Sequence, residues 1–140
     1  MEAIWLPQYP EGVPADIDVG RYTSLVDLLE RALVAHRDRT AFEGLGTAIS
    51  YGDVDNLSQD FASYLQNRLG LAKGDRIALM LPNVLQYPVA MLGALRAGIV
   101  VVNLNPMAAE RELRAQLQDS GARVVVVAEP YAHTLSQVLD

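Results

Sequence analysis

The feature that most constrains the fold is the stretch from Gly74 to Pro106, GDRIALMLPNVLQYPVAMLGALRAGIVVVNLNP. It holds two short apolar runs, residues 76–81 and 99–102, and turn or breaker residues bound each of them. Continuously apolar runs of this length are typical of strands buried on both faces of a parallel sheet. Two parallel strands require a crossover connection, and residues 84–97 have helical character. The stretch therefore predicts a βαβ unit.

The same pattern continues after this unit. Residues 109–120 form an amphipathic pattern that stops at Gly121, residues 123–128 predict a third buried strand, and a further helix begins at Tyr131. We therefore predict an α/β fold with a parallel βαβαβ sheet, right-handed crossovers and helices on both faces. At least one outer strand would be an unpaired edge. Because the last helix has no stop signal at Asp140, we expect the domain to be incomplete there.

The residues before the central unit predict an arm, two helices and a hairpin. Residues 1–22 are expected to form an extended arm that Trp5 and Tyr9 hold against the body, and a frayed terminus is an equal alternative. Residues 23–140 are the first part of a larger α/β domain, with βα repeats from about residue 74 onward. Ser24 is expected to cap the first helix, and residues 40–50 to form a small hairpin.

The second helix is predicted to start at a Ser50–Asp53 capping box and to end at Gly70. Its inward face is expected to carry five large apolar residues: Val54, Leu57, Phe61, Leu65 and Leu69. On this reading a Leu57→Asp substitution would unfold the protein. In the crossover, Pro88 either kinks the helix or marks its beginning.

Composition excludes several classes of function. A net charge of −6 argues against a nucleic-acid partner, and the absence of cysteine removes disulfides, thiolate chemistry and cysteine-ligated metals. The N-terminus has no secretory pattern, and the longest apolar run, residues 88–95, is far shorter than a membrane span. We expect a soluble, cytoplasmic protein.

Residue patterns alone reveal no catalytic set. Gly44-Leu45-Gly46 lacks the third glycine of a dinucleotide loop, so a hairpin turn is favoured. His36 and His133 lie in separate helices, while Glu110 and Glu112 point to different faces of one helix. The strand ends carry further polar residues, at Pro82-Asn83, Asn103–Pro106 and Glu129-Pro130, where ligands bind in open α/β sheets. Capping and turn-making explain these residues equally well. We assign no catalytic, cofactor-binding or metal-binding residue.

Several motifs together carry a family resemblance. They are the 74–106 stretch, REL-x-x-QL-x-DSGA at 111–122, Ile49–Gly52, and an opening with Trp5, Tyr9-Pro10, Gly12–Pro14 and SLVDLLE at 24–30. These motifs resemble the N-terminal region of the AMP-forming acyl-CoA synthetases, an adenylate-forming superfamily, and within it the long-chain-fatty-acid–CoA ligase branch. The resemblance covers nearly the whole chain. It implies that the chain is an N-terminal fragment of such an enzyme.

The resemblance implies a parent ligase that uses ATP, Mg²⁺ and coenzyme A. A fatty carboxylate attacks ATP to give an acyl-adenylate and pyrophosphate, and coenzyme A then displaces AMP. The family's phosphate loop, adenine pocket, ribose-binding acid and catalytic lysine belong to later parts of the chain, and Lys73 does not replace that lysine. The fragment alone is therefore expected to be inactive, with the rest of the parent polypeptide as its partner.

Several points stay open beside the resemblance. Met107-Ala108-Ala109 stands where relatives commonly carry a threonine that caps the next helix, so that helix start is expected to be weaker by about 1 kcal/mol. The alternative to the ligase fragment is a stand-alone, non-catalytic α/β interaction module, which would dimerise through its sheet edge or arm. A flavodoxin-like nucleotide binder is a weaker third hypothesis. A homodimer and peripheral contact with the inner face of the membrane are both left open for the parent.

Overall fold

A computed structural model describes residues 4–139 of the chain. It contains five helices, α1 Leu25–Ala35, α2 Tyr51–Asn67, α3 Gln86–Arg96, α4 Glu110–Ser120 and α5 Ala132–Leu139. Its strands are β1 Thr40–Gly44, β2 Thr47–Ser50, β3 Arg76–Met80, β4 Val100–Asn103 and β5 Val124–Val127. Short 3-10 turns lie at Leu6–Gln8 and Glu129–Tyr131. Within residues 4–139, no helix is long and apolar enough to cross a membrane.

Strands β3, β4 and β5 form a parallel sheet in the order β4-β3-β5. Ile77 of the central strand lies between Val101 and Val124. Alternate side chains of β3 enter different cores: Ile77 and Leu79 pack with α2 and α3, whereas Ala78 and Met80 pack with α4 and α5. The predicted parallel βαβαβ layer with helices on both faces is confirmed. Within residues 4–139, β4 and β5 each have an unpaired outer edge.

The first two helices begin at the capping residues that the sequence indicates. Ser24 Oγ accepts a hydrogen bond from the Asp27 amide at 3.0 Å. Ser50 and Asp53 form a complete capping box, with the Asp53 amide donating to Ser50 Oγ at 3.0 Å and the Ser50 amide donating to Asp53 Oδ2 at 2.8 Å. The hydrogen bonds from the Ser50 hydroxyl and amide lower the pKa of Asp53. Both helix starts are therefore fixed locally.

Helix α4 starts differently. Its N-cap residue, Ala109, makes no side-chain capping hydrogen bond, as expected from the missing threonine. Its other end follows the usual rule, because Gly121 adopts the left-handed conformation with φ of 63°. The helix is therefore defined more by its C-terminal stop and by buried Leu113 than by its N-terminus.

The glycine pair near residue 45 forms a hairpin turn, and not a dinucleotide loop. Strands β1 and β2 pair antiparallel, with Gly44 opposite Thr47. Both central residues have positive φ, 52° at Leu45 and 76° at Gly46, which is the type I′ pattern. Leucine is an unusual residue for this conformation, and Leu45 is 97% exposed.

The position of Pro88 settles how the crossover helix begins. Helix α3 starts at Gln86, so Pro88 is its third residue. The first four N–H groups of a helix have no partner within it, so the missing N–H of Pro88 costs no helical hydrogen bond. Pro88 therefore lies inside the first turn of α3 and does not mark its beginning.

One prediction for α2 is wrong. Leu57 and Leu69 are 47% and 38% exposed, so they do not belong to the inward face. The buried side of the helix instead runs through Val54, Ser58, Ala62 and Leu65. These residues keep helical spacing, but two of them are small because α3 approaches closely there. The positions of large apolar residues do not reveal this buried stripe, because it includes Ser58 and Ala62.

The expectation for the arm is also wrong in its detail. Trp5 and Tyr9 are 53% and 42% exposed, so neither is buried against the body. Other apolar residues of the arm, Ile17 and Val19, are more exposed still. Residues 1–3 of the predicted arm, and Asp140 at the other end, lie outside the described residues.

Candidate functional site

The carboxyl ends of β3 and β5 form the natural place for a site in this fold. After β3 the chain passes to α3 on one face of the sheet, and after β5 it passes to α5 on the other face. Strands β3 and β5 are neighbours, so the connections that follow them leave the same end of the sheet toward opposite faces. Open α/β sheets bind their ligands at such a point.

Two of the strand-end asparagines are already engaged. The hydroxyl of Tyr87 donates to Asn103 Oδ1 at 3.0 Å, which links the first turn of α3 to the end of β4. The Met107 amide donates to Asn105 Oδ1 at 3.0 Å in a local turn. Turn-making thus explains Asn105, and a helix-to-strand link explains Asn103. No local sequence pattern indicates the role of Tyr87, because its partner is 16 residues away.

Asn83 lies beside a cleft between the hairpin and the β3–α3 connection. The cleft has a volume of about 320 Å³, and Asn83, Glu43, Phe42 and Met91 are among its lining residues. An adjoining space of about 270 Å³ extends along the hairpin turn to Thr47 and Gln86. Asn83 itself is exposed. The cleft can accept an apolar group, but its polar residues do not include a nucleophile paired with a base.

The other candidate residues from the sequence are not brought together. His36 caps the end of α1 and packs edge-on against Tyr51, with ring centroids 5.6 Å apart, while His133 lies in the first turn of α5. Glu110 and Glu112 are exposed in the first turn of α4. Lys73 is exposed in the turn before β3, at the amino ends of the strands and therefore opposite their carboxyl ends.

No metal centre is assembled in the part of the chain that the structure describes. Residues 4–139 contain no group of three histidine or acidic side chains placed to hold an ion. The Mg²⁺ that the family resemblance implies therefore has no fitting ligand set here, and we assign it to no residue of this region.

The most buried charged group was not singled out by the sequence analysis. Arg96, at the end of α3, has a side chain only 9% exposed. Its guanidinium donates to Asp55 Oδ1 at 2.6 Å, to Asp55 O at 2.8 Å and to Ser58 Oγ at 2.7 Å. Glu30 of α1 lies 3.4 Å from Arg96 Nε. One side chain thus joins three helices.

Asp55 is held in its charged form by this arrangement. Burial acts to raise its pKa, but hydrogen bonds from Arg96, Gln59 and Arg37 outweigh burial and leave the pKa below its ordinary value. The Gln59 and Arg37 contacts are 2.8 and 3.3 Å long. Because Arg96 and Asp55 pair with each other between packed helices, they position helices and do not present a reactive group. The available signal in the sequence was an arginine at the end of a mostly apolar helix.

Comparison with known proteins gives the family directly. The AMP-binding enzyme family matches residues 29–140. A long-chain-fatty-acid–CoA ligase of Yersinia pestis is 50% identical over 139 residues, which are 99% of this chain and 25% of that protein. The chain thus spans about a quarter of the length of the curated relatives that it matches.

Solved structures agree with this match. The benzoate CoA ligase of Burkholderia xenovorans LB400 superimposes with a TM-score of 0.77 and 30% identity, covering 81% of this chain and 23% of that one. A fatty acyl CoA synthetase of Mycobacterium tuberculosis gives 0.75 and 29%, covering 80% and 22%. The predicted fold class and the family resemblance are both confirmed. The chain belongs to the family of AMP-binding enzymes.

Proposed function

We propose that this chain is the N-terminal quarter of an ATP-dependent, AMP-forming ligase that joins a long-chain fatty acid to coenzyme A. The observation that carries the proposal is the 50% identity to a long-chain-fatty-acid–CoA ligase, which extends over 99% of the chain. Identity at this level over every element supports the same substrate class in the whole protein.

The proposed reaction proceeds in two steps. A carboxylate oxygen of the fatty acid attacks the α-phosphorus of ATP, so that an acyl-adenylate forms and pyrophosphate leaves. The thiol of coenzyme A then loses its proton and attacks the acyl carbon, so that a thioester forms and AMP leaves. We assign no residue of 4–139 to either step, because its strand-end polar groups are engaged in structural hydrogen bonds or lack a reactive partner.

The role of this region in the parent is structural. We assign residues 1–22 to an arm and residues 23–140 to the first part of the large N-terminal domain, whose sheet would support a site built by later residues. The parent would act in the cytoplasm and would collect its substrate at the inner face of the membrane, since fatty acids partition into bilayers.

The test is to express the full coding sequence and, separately, residues 1–140, and to measure pyrophosphate exchange into ATP with fatty acids of several chain lengths. We expect exchange and acyl-CoA formation by the full polypeptide, and background exchange by residues 1–140. A full polypeptide that activates no fatty acid would overturn the proposal.

The competing function is the non-catalytic interaction module, and it would use the outer edges of β4 and β5, which have no strand partner within residues 4–139. A reading frame that stops just after Asp140, together with a monodisperse dimer of residues 1–140, would establish that alternative. Exchange activity above background by residues 1–140 alone would contradict both functions as stated.

A further inference from the structure

Two spaces lie on either side of the first hairpin strand. The outer one is the cleft of about 320 Å³ described above, between the hairpin and the β3–α3 connection. We call it the hairpin cleft, and define it by Phe42, Glu43, Asn83, Leu85 and Met91. The inner one is a cavity of about 80 Å³ bounded by α1, β1, α2 and α3. We call it the inner cavity, and define it by Leu29, Ala32, Leu33, Val54 and Leu92.

The two spaces share one wall. Phe42, Pro88 and Met91 line both of them, so these three side chains separate the hairpin cleft from the inner cavity. Phe42 is 44% exposed and Met91 is only partly buried, so neither is fixed in a fully packed environment. Methionine has an unbranched, flexible side chain that adapts to irregular space. A change of rotamer at Met91 would therefore join the cleft to the cavity.

The size and lining of the inner cavity determine what can enter it. Its described lining residues are aliphatic or aromatic, and none of them carries a charge. Apolar cavities stay dry and accept small apolar guests, and one of about 150 Å³ binds benzene. A cavity of about 80 Å³ is too small for such a ring, but it can take the end of an unbranched alkyl chain. The hairpin cleft has room for the rest of the chain.

The rim of the hairpin cleft determines which polar end the chain can carry. Among the described residues that line the cleft, Glu43 alone is charged, and it is exposed. Its carboxylate would repel an anionic head group nearby. Asn83 is also exposed at the cleft, and its amide can both donate and accept hydrogen bonds. The rim therefore favours a hydroxyl group over a carboxylate.

We propose that the hairpin cleft and the inner cavity together bind an uncharged amphiphile with an unbranched alkyl chain, such as a long-chain alcohol. The methyl end lies in the inner cavity and the hydroxyl group lies near Asn83. This site goes beyond the proposed function, because it selects against the carboxylate that the proposed ligase activates and takes no part in that reaction. Buried alkyl carbon drives the binding, and each additional buried methylene group strengthens it about fourfold.

The test uses the methyl group of Met91 as a local reporter in the full-length protein. Methionine methyl groups are labelled with ¹³C, and the Met91→Leu variant assigns the Met91 signal. The protein is titrated with 1-octanol and, separately, with octanoate, both without ATP. We expect 1-octanol to shift the Met91 signal with an apparent affinity at least tenfold higher than that of octanoate. Glu43→Gln should reduce this difference, because it removes the charge at the rim.

A second variant fills the inner cavity. Ala32→Leu places a larger side chain in it, so it should raise the melting temperature and weaken 1-octanol binding at least tenfold. Ala115→Leu is the matched control, because Ala115 is exposed on α4, and it should leave 1-octanol binding unchanged.

Three results would overturn the alkyl site. They are a Met91 signal that responds to neither compound, equal affinities for 1-octanol and octanoate, and a folded Ala32→Leu variant that binds 1-octanol as the unsubstituted protein does. The Glu43→Gln comparison keeps the proposal falsifiable if Ala32→Leu does not fold. The selective response in a protein that activates no fatty acid would support the alkyl site and reject the proposed function.

Discussion

Helices α2 and α3 build two contrasting surfaces. One is their mutual contact, which we call the α2–α3 seam and define by Ser58, Ala62, Gly93 and Arg96. A Cβ atom at Gly93 would lie 2.8 Å from the backbone oxygen of Ser58, so the two helices are in close contact there. The other surface is an apolar groove beside the outer strand β5, which we call the β5 groove. The same helices contribute Leu57, Phe61 and Val89 to it.

The difference shows that side-chain size is a poor guide to burial in this chain. The seam is closed by a glycine, two small residues and a buried arginine, whereas the groove displays leucine and phenylalanine. Small residues allow helix backbones to approach, and the arginine forms a hydrogen-bonded ion pair inside the contact. Stability should therefore depend far more on the seam than on the larger side chains of the groove.

The largest effect is expected at Arg96. Replacing it with alanine leaves Asp55 partly buried without its shortest hydrogen bond, and removing one partner of a buried ion pair costs about 3 kcal/mol. Urea unfolding followed by circular dichroism measures the loss. The matched control is Arg37→Ala, which removes an exposed partner of the same carboxylate and should cost less than about 1 kcal/mol. Equal losses in the two variants would mean that the buried pair has no special role.

A somewhat smaller loss is expected for Gly93→Ala. The added methyl group meets the Ser58 backbone at 2.8 Å and the Phe61 ring at 2.9 Å, and overpacking of this kind costs about 2 kcal/mol. Gly44→Ala is the control, because its methyl group would meet only Leu85 at an ordinary 3.7 Å. If thermal unfolding of Gly93→Ala matches that of Gly44→Ala, the helices are not in close contact at the seam.

Acid should weaken the seam through Asp55. Its pKa is below the ordinary value in the folded protein, so its contribution is complete above the unfolded pKa of about 3.9 and is lost as pH falls through the folded pKa. We expect Asp55→Asn to reduce stability at pH 7 and to make the stability less dependent on pH below about 4. A variant whose acid unfolding parallels that of the parent chain would show that other carboxylates dominate.

The smallest effect is expected in the groove. Leu57→Ser removes a side chain that is 47% exposed, and the free energy of unfolding of residues 1–140 should change by less than about 0.5 kcal/mol. Leu65→Ser is the contrasting variant, because Leu65 is fully buried on the inward side of the same helix. Its loss should lower the free energy of unfolding several times more. A large loss at Leu57 would return that residue to the core and remove the contrast between the two surfaces.

Much of the fold follows from local signals in the sequence. Ser50 and Asp53, the β-branched run at 100–102, Gly121 and the 44–46 turn each determine a feature within a few residues. The inward face of α2 could not be derived in this way, because Ser58 and Ala62 are buried only by the approach of Gly93 from another helix. Likewise, the size of Trp5 suggests a buried anchor, but no sequence pattern shows whether another part of the chain packs against it.

The candidate site was less accessible to sequence reasoning than the fold. The strand rule points to the carboxyl ends of the strands, which stays a prediction. The contacts that form were not predictable, because Asn103 and Tyr87 interact across 16 residues, and Arg96 and Asp55 across 41. Such pairs depend on the packing of helices against strands, which no spacing rule predicts from one sequence. The family resemblance came from a long run of matching residues and needed no such contact.

The exposed position of Trp5 has a spectroscopic consequence. It is the single tryptophan of the chain, and it lies in the arm, 53% exposed, and belongs to neither of the two cores that flank the sheet. Its emission should therefore be close to that of indole in water and should change little when the cores melt. In a longer polypeptide, a blue shift of this emission would report that the arm has been covered, independently of what happens to the sheet.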